Sequence, residues 1–479
     1  MGETYRLNYA GSLMDKASKK AIQKTSGAAG EGAATTPEKP TAAGQRLVSL
    51  DAYRGFIMLM LAANGFGIAA LAQLPQDAPV WNHLDYGIWQ SIAFHFTHPE
   101  WASRFGLMGV SFWDLIQPAF MFMVGVAMPF SYRRRTQDGQ PTWRRVLHAL
   151  WRAIVLVLLG VFLYSLRAER TNWIFTNVLA QIGLGYFFAY LMLGRRPVVQ
   201  MIALAVLLGG YWWYFKSYEM SPGYATVVAE LEVDPETEYA GPFAPWSKHR
   251  NAAQEFDWHV LSRLRTPEET PAAPPGISAL LFEPGRVLSH WLASNPEPFE
   301  VNRGGYATLS FVPSIGTMLL GVLCGQFLMT GLPPWRKVGY LVGGGAICML
   351  LGLATGEYAV PIVKRIWTPS WTLFSGAYVI WLLALFYVLF DILPLRKLAF
   401  PLVVLGMNSI AVYMMGQLLR GWTADRVVGI HLTGFLETLF GPTALSDDMF
   451  GRLIEPTAVV MVFWLVAYWM YRQRYFIRV

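Results

Sequence analysis

Charged residues make up only 14% of this 479-residue chain, against 54% hydrophobic. A soluble domain usually carries about 25% charged residues. So little charge cannot cover a water-soluble surface, whereas lipid as solvent removes the difficulty. Cysteine is nearly absent: Cys324 and Cys348 both fall in apolar segments, which argues against a disulfide framework or a thiolate metal site. No G-x-x-x-x-G-K-[ST] loop occurs, and no G-x-G-x-x-G follows a strand. ATP-driven transport by this chain is therefore unsupported. Residues 1–45 are polar, with no apolar core, so no cleavable signal peptide is expected. Their Ala, Gly, Thr, Lys and Pro content predicts a disordered tail.

What the chain has in quantity is long apolar runs. Segments long enough to span a bilayer, roughly 17–25 residues, recur near 54–74, 110–131, 146–166, 173–193, 198–215, 307–330, 338–356, 371–391, 398–419 and 455–472. The expected fold is an all-α bundle of about ten transmembrane helices, with residues 46–479 as one membrane domain. The 19 Trp, 22 Tyr and 29 Phe suit aromatic belts at the two interfaces. The net charge of +7 does not point to nucleic acid, because the basic residues sit in short runs between apolar segments. With ten spans, Arg133–Arg135 with Arg144 and Arg145, Arg195–Arg196, Arg336–Lys337, Arg396–Lys397 and Arg472 with Arg474 all share the N-terminal side. The positive-inside rule makes that side cytoplasmic. Arg167, Arg170, Lys364 and Arg365 fall on the other side as a minority. The long loops, about 75–109, 216–306 and 420–454, then face outward. Such loops commonly carry function. The largest is expected to hold helical pieces near 252–264 and 277–293, and 426–441 reads as an interfacial helix or a re-entrant segment.

Ionisable groups concentrate where the first two spans meet the outer face, in Thr97-His98-Pro99-Glu100-Trp101 and Ser111-Phe112-Trp113-Asp114. Charge at a membrane boundary is costly and points to function. His98 is suited to moving a proton near neutral pH, the step that acyl transfer to an amine or hydroxyl needs. Glu100 or Asp114 is placed to orient it, and the plainer reading is an interfacial histidine. His95 and His83 read as structural. Asn64, ahead of Gly65-Phe66-Gly67, reads either as a helix C-cap or as a donor to a developing oxyanion. Asp51 and Arg54 share a helical face and suit an ion pair, while Arg54 is alternatively a phosphate contact. Arg133 to Arg135 read as a topology signal or as a nucleotide phosphate grip. Asp114 and Gln117 open the second span. Asn408 with Ser409 reads as helix–helix hydrogen bonding or as site lining.

Together, Leu50-Asp-Ala-Tyr-Arg-Gly55, Asn64, His98 with Trp101, Asp114-Leu-Ile-Gln-Pro-Ala-Phe-Met-Phe-Met-Val-Gly125 and Gly406-Met-Asn-Ser-Ile410 resemble the heparan-alpha-glucosaminide N-acetyltransferase family, within the transmembrane acyltransferase superfamily. Asn302–Met318 and Lys364–Trp371 look like its bacterial branch. The resemblance covers about 46–479. It implies an enzyme that takes acetyl from acetyl-CoA, its co-substrate, and delivers it across the membrane to an amino sugar or glycan. It implies His98 as the catalytic residue, assisted by Asn64; His98 then acts as general base or carries the acetyl group as a transient acyl-imidazole, and Asp114 is read as organising the site. Acetyl-CoA phosphates would meet Arg54, Arg133 and Arg134. No metal is expected. The partners expected are the bilayer, acetyl-CoA and a glycan acceptor, with a homodimer allowed and nucleic acid not expected. The expected location is the inner membrane, with both termini cytoplasmic. His83 competes with His98, because the loop between Asn64 and His98 is longer than in the lysosomal enzyme. The lumenal domain of that enzyme is replaced by a short tail, which makes a bacterial envelope glycan the more natural acceptor. The alternatives are a secondary transporter, for which no internal repeat is seen, O-acetylation in place of N-acetylation, and a non-catalytic membrane partner.

Overall fold

A computed structural model describes residues 47–98, 101–103, 110–231, 234–265, 284–292 and 298–477. The expected tail at 1–45 and Glu100 lie outside them. Every described element belongs to one compact unit, Gln45–Val479, and all regular structure in the described residues is helical. In chain order the helices are α1 (Val48–Ala62), α2 (Ile68–Ala72), α3 (Tyr86–Phe94), α4 (Phe112–Gln137), α5 (Thr142–Ser165), α6 (Val178–Leu191), α7 (Pro197–Lys216), α8 (Pro222–Ala229), α9 (Ala252–Leu261), α10 (Pro284–Leu292), α11 (Phe311–Leu328), α12 (Pro334–Tyr358), α13 (Pro369–Tyr387), α14 (Phe400–Met407), α15 (Ser409–Leu418), α16 (Thr433–Phe440) and α17 (Gly451–Arg472).

Among the described residues, seven helices are long and apolar enough to cross a membrane by length and composition. Two bent pairs, α1 with the turn and α2 (48°) and α14 with α15 (81°), pass the same test together, and α6 is a shorter apolar helix. These coincide with the ten segments expected from the apolar runs, and the chain is an all-α integral membrane protein. The two bends have different causes. After α1 the backbone takes positive φ at four successive residues, Asn64 to Gly67, a run in which two glycines lower the steric cost. Between α14 and α15 it is Asn408 that interrupts the helix. The 426–441 segment begins in a π-helical turn, Thr423–Leu432, and continues into the exposed helix α16.

The bundle is held by close helix crossings at glycines. On α1 and α14, a Cβ at Gly55 would stand 1.7 Å from Leu402 O, and one at Gly406 would stand 1.9 Å from Asp51 O. On α4 and α11, a Cβ at Gly321 would meet Phe122 O at 2.2 Å and one at Gly325 would meet Val126 O at 2.4 Å. Small residues at i and i+4 let backbones approach where lipid supplies no hydrophobic drive between helices.

Asn408 does neither of the two things expected of it. It is fully buried, its Nδ2 donates to Tyr475 O at 3.0 Å, and its Oδ1 accepts from Ile477 N at 3.0 Å. It thus ties the end of the chain to the break between α14 and α15. Asn408→Ala removes two hydrogen bonds that hold the exposed end of the chain, at about 0.5–1.5 kcal/mol each. The expected outcome is a lower melting temperature in detergent and faster proteolysis after Arg472. A melting temperature equal to wild type would count against this anchoring role.

The described residues between α7 and α11 form a cap at the end of the bundle where α4 begins. The expected helical piece at 252–264 is present as α9 and a following turn, Ser262–Leu264. Of the 277–293 piece, α10 is described and 277–283 lies outside the described residues. The cap has its own apolar centre. Trp246 stacks on Phe215 at 4.5 Å between ring centroids, and Trp101 Nε1 donates to Trp246 O at 3.0 Å. Trp101 therefore pins the loop that carries His98 beneath the cap.

Asp257, on α9, is buried, and its Oδ2 accepts from Thr308 N at 2.8 Å. Burial pushes its carboxyl up from 3.8 to about 7, against the pull of the Thr308 N–H. The fold thus favours the protonated form. Its stabilising contribution is full below the unfolded value and is lost as pH rises through about 7, a span of about 4 kcal/mol at about 1.4 per unit. Asp257→Asn should flatten the fall in melting temperature between pH 5 and 8 and melt above wild type at pH 8. Equal slopes in the two proteins would contradict this assignment.

Candidate active site

Three distant segments converge at the start of α4. Ser111 caps the helix, its Oγ accepting from Asp114 N at 3.1 Å. That places the Asp114 carboxylate in the first turn, where the helix dipole favours negative charge. His98 follows the end of α3, and His95 O accepts from Trp113 N at 2.9 Å to tie the two elements together. The third segment is the turn before α13. There Trp367 N donates to Lys364 O at 2.8 Å and Thr368 N to Val363 O at 3.0 Å. These place Lys364 beside α4.

His98 Nδ1 lies 2.7 Å from Asp114 Oδ1, and Lys364 Nζ donates to the same oxygen at 2.7 Å. The Lys364 Nζ to His98 Nδ1 distance is 3.3 Å. The Asp114 and Lys364 side chains are 6% and 7% exposed, whereas that of His98 is 42% exposed. A carboxylate only accepts, so the contact with Nδ1 requires a proton there. The neutral ring then carries its lone pair on Nε2. This is the tautomer a general base needs.

His98 and Lys364 border a cavity of about 370 Å³ together with Gln117, Asn177, Asn302 and Tyr306 among others. Asn177 is the N-cap of α6, its side chain accepting from Leu179 N. Asn302 and Tyr306 reach the cavity because α6, α9 and the turn before α13 hold their segment from several sides. Gln254 Nε2 donates to Tyr306 O, Gln181 Nε2 to Thr308 O, and Arg365 Nη1 to Gly304 O.

The other residues expected at the site go elsewhere. Asn64 is exposed in the left-handed turn after α1 and is not among the residues that line the cavity. His83 stands 6.1 Å from Phe450, ring to ring, and His95 caps α3. Neither lines the cavity. Arg54 Nη2 is 2.5 Å from Asp51 Oδ1, the ion pair allowed by their spacing. Arg133 borders a second cavity of about 330 Å³ with Tyr132, Thr136 and Gln137, at the far end of α4. Arg134 is exposed, and Arg135 Nη2 lies 2.5 Å from His148 Nε2. At 1.5 Å per residue, Gln117 and Arg133 are about 24 Å apart along the helix. No cluster of metal ligands occurs among the described residues.

Lys364, Asn177, Asn302 and Tyr306 were not singled out as site residues from the sequence. Lys364 did carry a signal, because it is a basic residue on the side that the positive-inside rule leaves poor in them. The fold and site define a multi-pass membrane protein with a histidine–carboxylate–lysine group beside a cavity at one end of its bundle.

Comparison with known proteins finds distant similarity to one family. Residues 86–249 match the model of the heparan-alpha-glucosaminide N-acetyltransferase catalytic region. That stretch includes His98, Asp114 and Asn177. Heparan-alpha-glucosaminide N-acetyltransferase of Homo sapiens is 22% identical over 405 residues, 77% of this chain and 52% of the human protein. The Mus musculus protein of the same name is 21% identical over 420 residues, 81% of this chain and 55% of the mouse protein. The chain spans about half the length of the curated relatives it matches. Its similarity to the heparan-alpha-glucosaminide N-acetyltransferases is therefore distant.

Proposed function

We propose that this protein moves an acetyl group from acetyl-CoA, bound from the cytoplasmic side, to the amine of a sugar or glycan on the opposite side of the membrane. The observation that carries this reading is the pairing of Asp114 with His98, which borders a cavity, within the stretch that matches the acetyltransferase family. His98 Nε2 acts as general base on the acceptor amine. Asp114 holds the ring in that tautomer and balances the positive charge the ring gains. General-base assistance of this kind contributes about 10²–10⁴-fold. An acceptor hydroxyl would be activated by the same geometry.

Arg133 and its cavity at the basic end of α4 suit the phosphates of acetyl-CoA, and exposed Arg134 stands beside them. Arg54, already paired with Asp51, has the weaker claim. The account places both termini in the cytoplasm and the protein in the inner membrane, with cell-envelope glycans as acceptors. Asn64 was expected to hold the oxyanion. The amides that border the cavity are instead Gln117, Asn177 and Asn302.

The test is transfer from labelled acetyl-CoA by the purified protein, with glucosamine and cell-envelope glycans as amine acceptors and their N-blocked forms as hydroxyl acceptors. Label in the amine is the expected result. Label only in hydroxyls would replace N- by O-acetylation, and no label in either acceptor would contradict the proposal.

A further inference from the structure

We propose that Lys364 is a catalytic residue: its ammonium donates to the oxyanion formed on the thioester carbonyl during transfer. This rests on the acetyltransfer reading above and deepens it. An ammonium has three N–H donors. One goes to Asp114 Oδ1 at 2.7 Å. His98 Nδ1, at 3.3 Å, cannot accept a second, because its own proton points to Asp114. No further hydrogen bond of Nζ occurs among the described residues, and Lys364 borders the cavity. The side chain is 7% exposed, so its ammonium is largely withdrawn from bulk water. There a charged donor is worth more than in water.

The backbone that carries Lys364 is built for fixed placement. Trp367 has a φ of 50°, a conformation that L-residues hold only when the surroundings over-determine it. Those surroundings are present. Trp367 is fully buried, and its Nε1 donates to Thr317 Oγ1 at 3.2 Å. Thr368 Oγ1 accepts from Val363 N at 3.0 Å, and Ser370 Oγ donates to Pro361 O at 2.8 Å. An oxyanion donor needs this kind of preorganisation, because reorganisation during the reaction would cancel its benefit. The neutral amides of Gln117, Asn177 and Asn302 and the hydroxyls of Tyr164, Thr176 and Tyr306 also border the cavity, and a charged donor makes the stronger bond.

The step balances as follows. The amine lone pair forms the C–N bond to the thioester carbonyl carbon, and the carbonyl π pair moves to oxygen, against the Lys364 ammonium. His98 Nε2 takes one amine proton. The C=O bond re-forms, the C–S bond breaks with its electron pair on sulfur, and the leaving thiolate takes the proton from His98. The products are the N-acetyl acceptor and CoA thiol. Lys364 keeps its proton throughout.

A double-mutant cycle separates this role from simple pairing with Asp114. Lys364→Met alone would leave Asp114 buried and unpaired, so the comparison is also made in an Asp114→Asn background, where Lys364→Met strands no carboxylate. The expected result is a further fall in kcat of about 10²–10³-fold from Lys364→Met in that background, with the acetyl-CoA KM unchanged. No further fall would mean that Lys364 serves only Asp114 and would overturn the proposal. A second arm uses Lys364→Cys in a Cys324→Ala, Cys348→Ala protein. Alkylation with 2-bromoethylamine restores an ammonium, and alkylation with iodoacetamide leaves a neutral amide. Recovery of transfer with the first reagent alone supports the proposal, and equal activity after both overturns it. Wild type without any acetyl transfer would instead overturn the underlying reading, and that outcome is read before any variant is compared.

Discussion

His98→Ala is expected to lower acetyl transfer by about 10²–10⁴-fold, the value of a positioned general base. The fold should hardly notice. The side chain is 42% exposed, and its removal leaves the Asp114–Lys364 pair intact at 2.7 Å. His98→Gln should be as inactive, because an amide cannot take the acceptor proton. The measurement is the initial rate with saturating acetyl-CoA and acceptor, alongside a melting curve for each variant. Loss of rate at an unchanged melting temperature is the expected pair of results. His83→Ala and His95→Ala should keep full rate, since neither ring borders the cavity. A rate that survived in His98→Ala but fell in His83→Ala would move the base to the other end of that loop.

The largest effect on stability is expected at the crossing of α1 and α14. Gly55→Val and Gly406→Val each drive a side chain into a backbone carbonyl, at 1.7 and 1.9 Å for the Cβ alone. Neither helix can yield by a rotamer change, so the two must separate and lose their shared packing. Overpacking usually costs 1–3 kcal/mol, and a clash with backbone belongs to the exceptional class above about 4 kcal/mol. The expected result is protein that fails to accumulate in the membrane or melts far below wild type. Gly339→Val is the control, because a Cβ there has no neighbour within 4 Å. Normal yield of both Gly55→Val and Gly406→Val would show that the crossing is looser than described.

Much of this architecture was legible in the apolar runs, because a bilayer demands a length and composition that few other environments do. All ten segments appear as helices or bent helix pairs. The pairing of His98 with Asp114 was also within reach, since His98 lies in the loop just before the span that Asp114 opens. Lys364 was not, because it comes to Asp114 across 250 positions of chain. No local pattern announces such a contact. The trace it left was a basic residue on the side otherwise poor in them, and that was counted as an exception to topology.

Asn64 and Asn408 show how position in the chain misleads. Both are polar residues within an apolar run, and both read equally well as structural or site-lining groups. The backbone decides between these roles. Four left-handed residues turn Asn64 outward, and the break after α14 points Asn408 at the end of the chain. The cap residues Asn302 and Tyr306 were hidden for a related reason. Their place at the cavity depends on hydrogen bonds from α6, α9 and the turn before α13, elements that lie far apart in sequence.

The central claim is that the acetyl group crosses the membrane within one protein. The most direct measurement uses proteoliposomes of known orientation, with labelled acetyl-CoA confined to the side of the Arg133–Arg135 cluster and glucosamine confined to the side of the cap. The account predicts N-acetylglucosamine on the cap side, free CoA on the basic side, and neither product with His98→Ala. Product that forms only when both substrates share one side would contradict it.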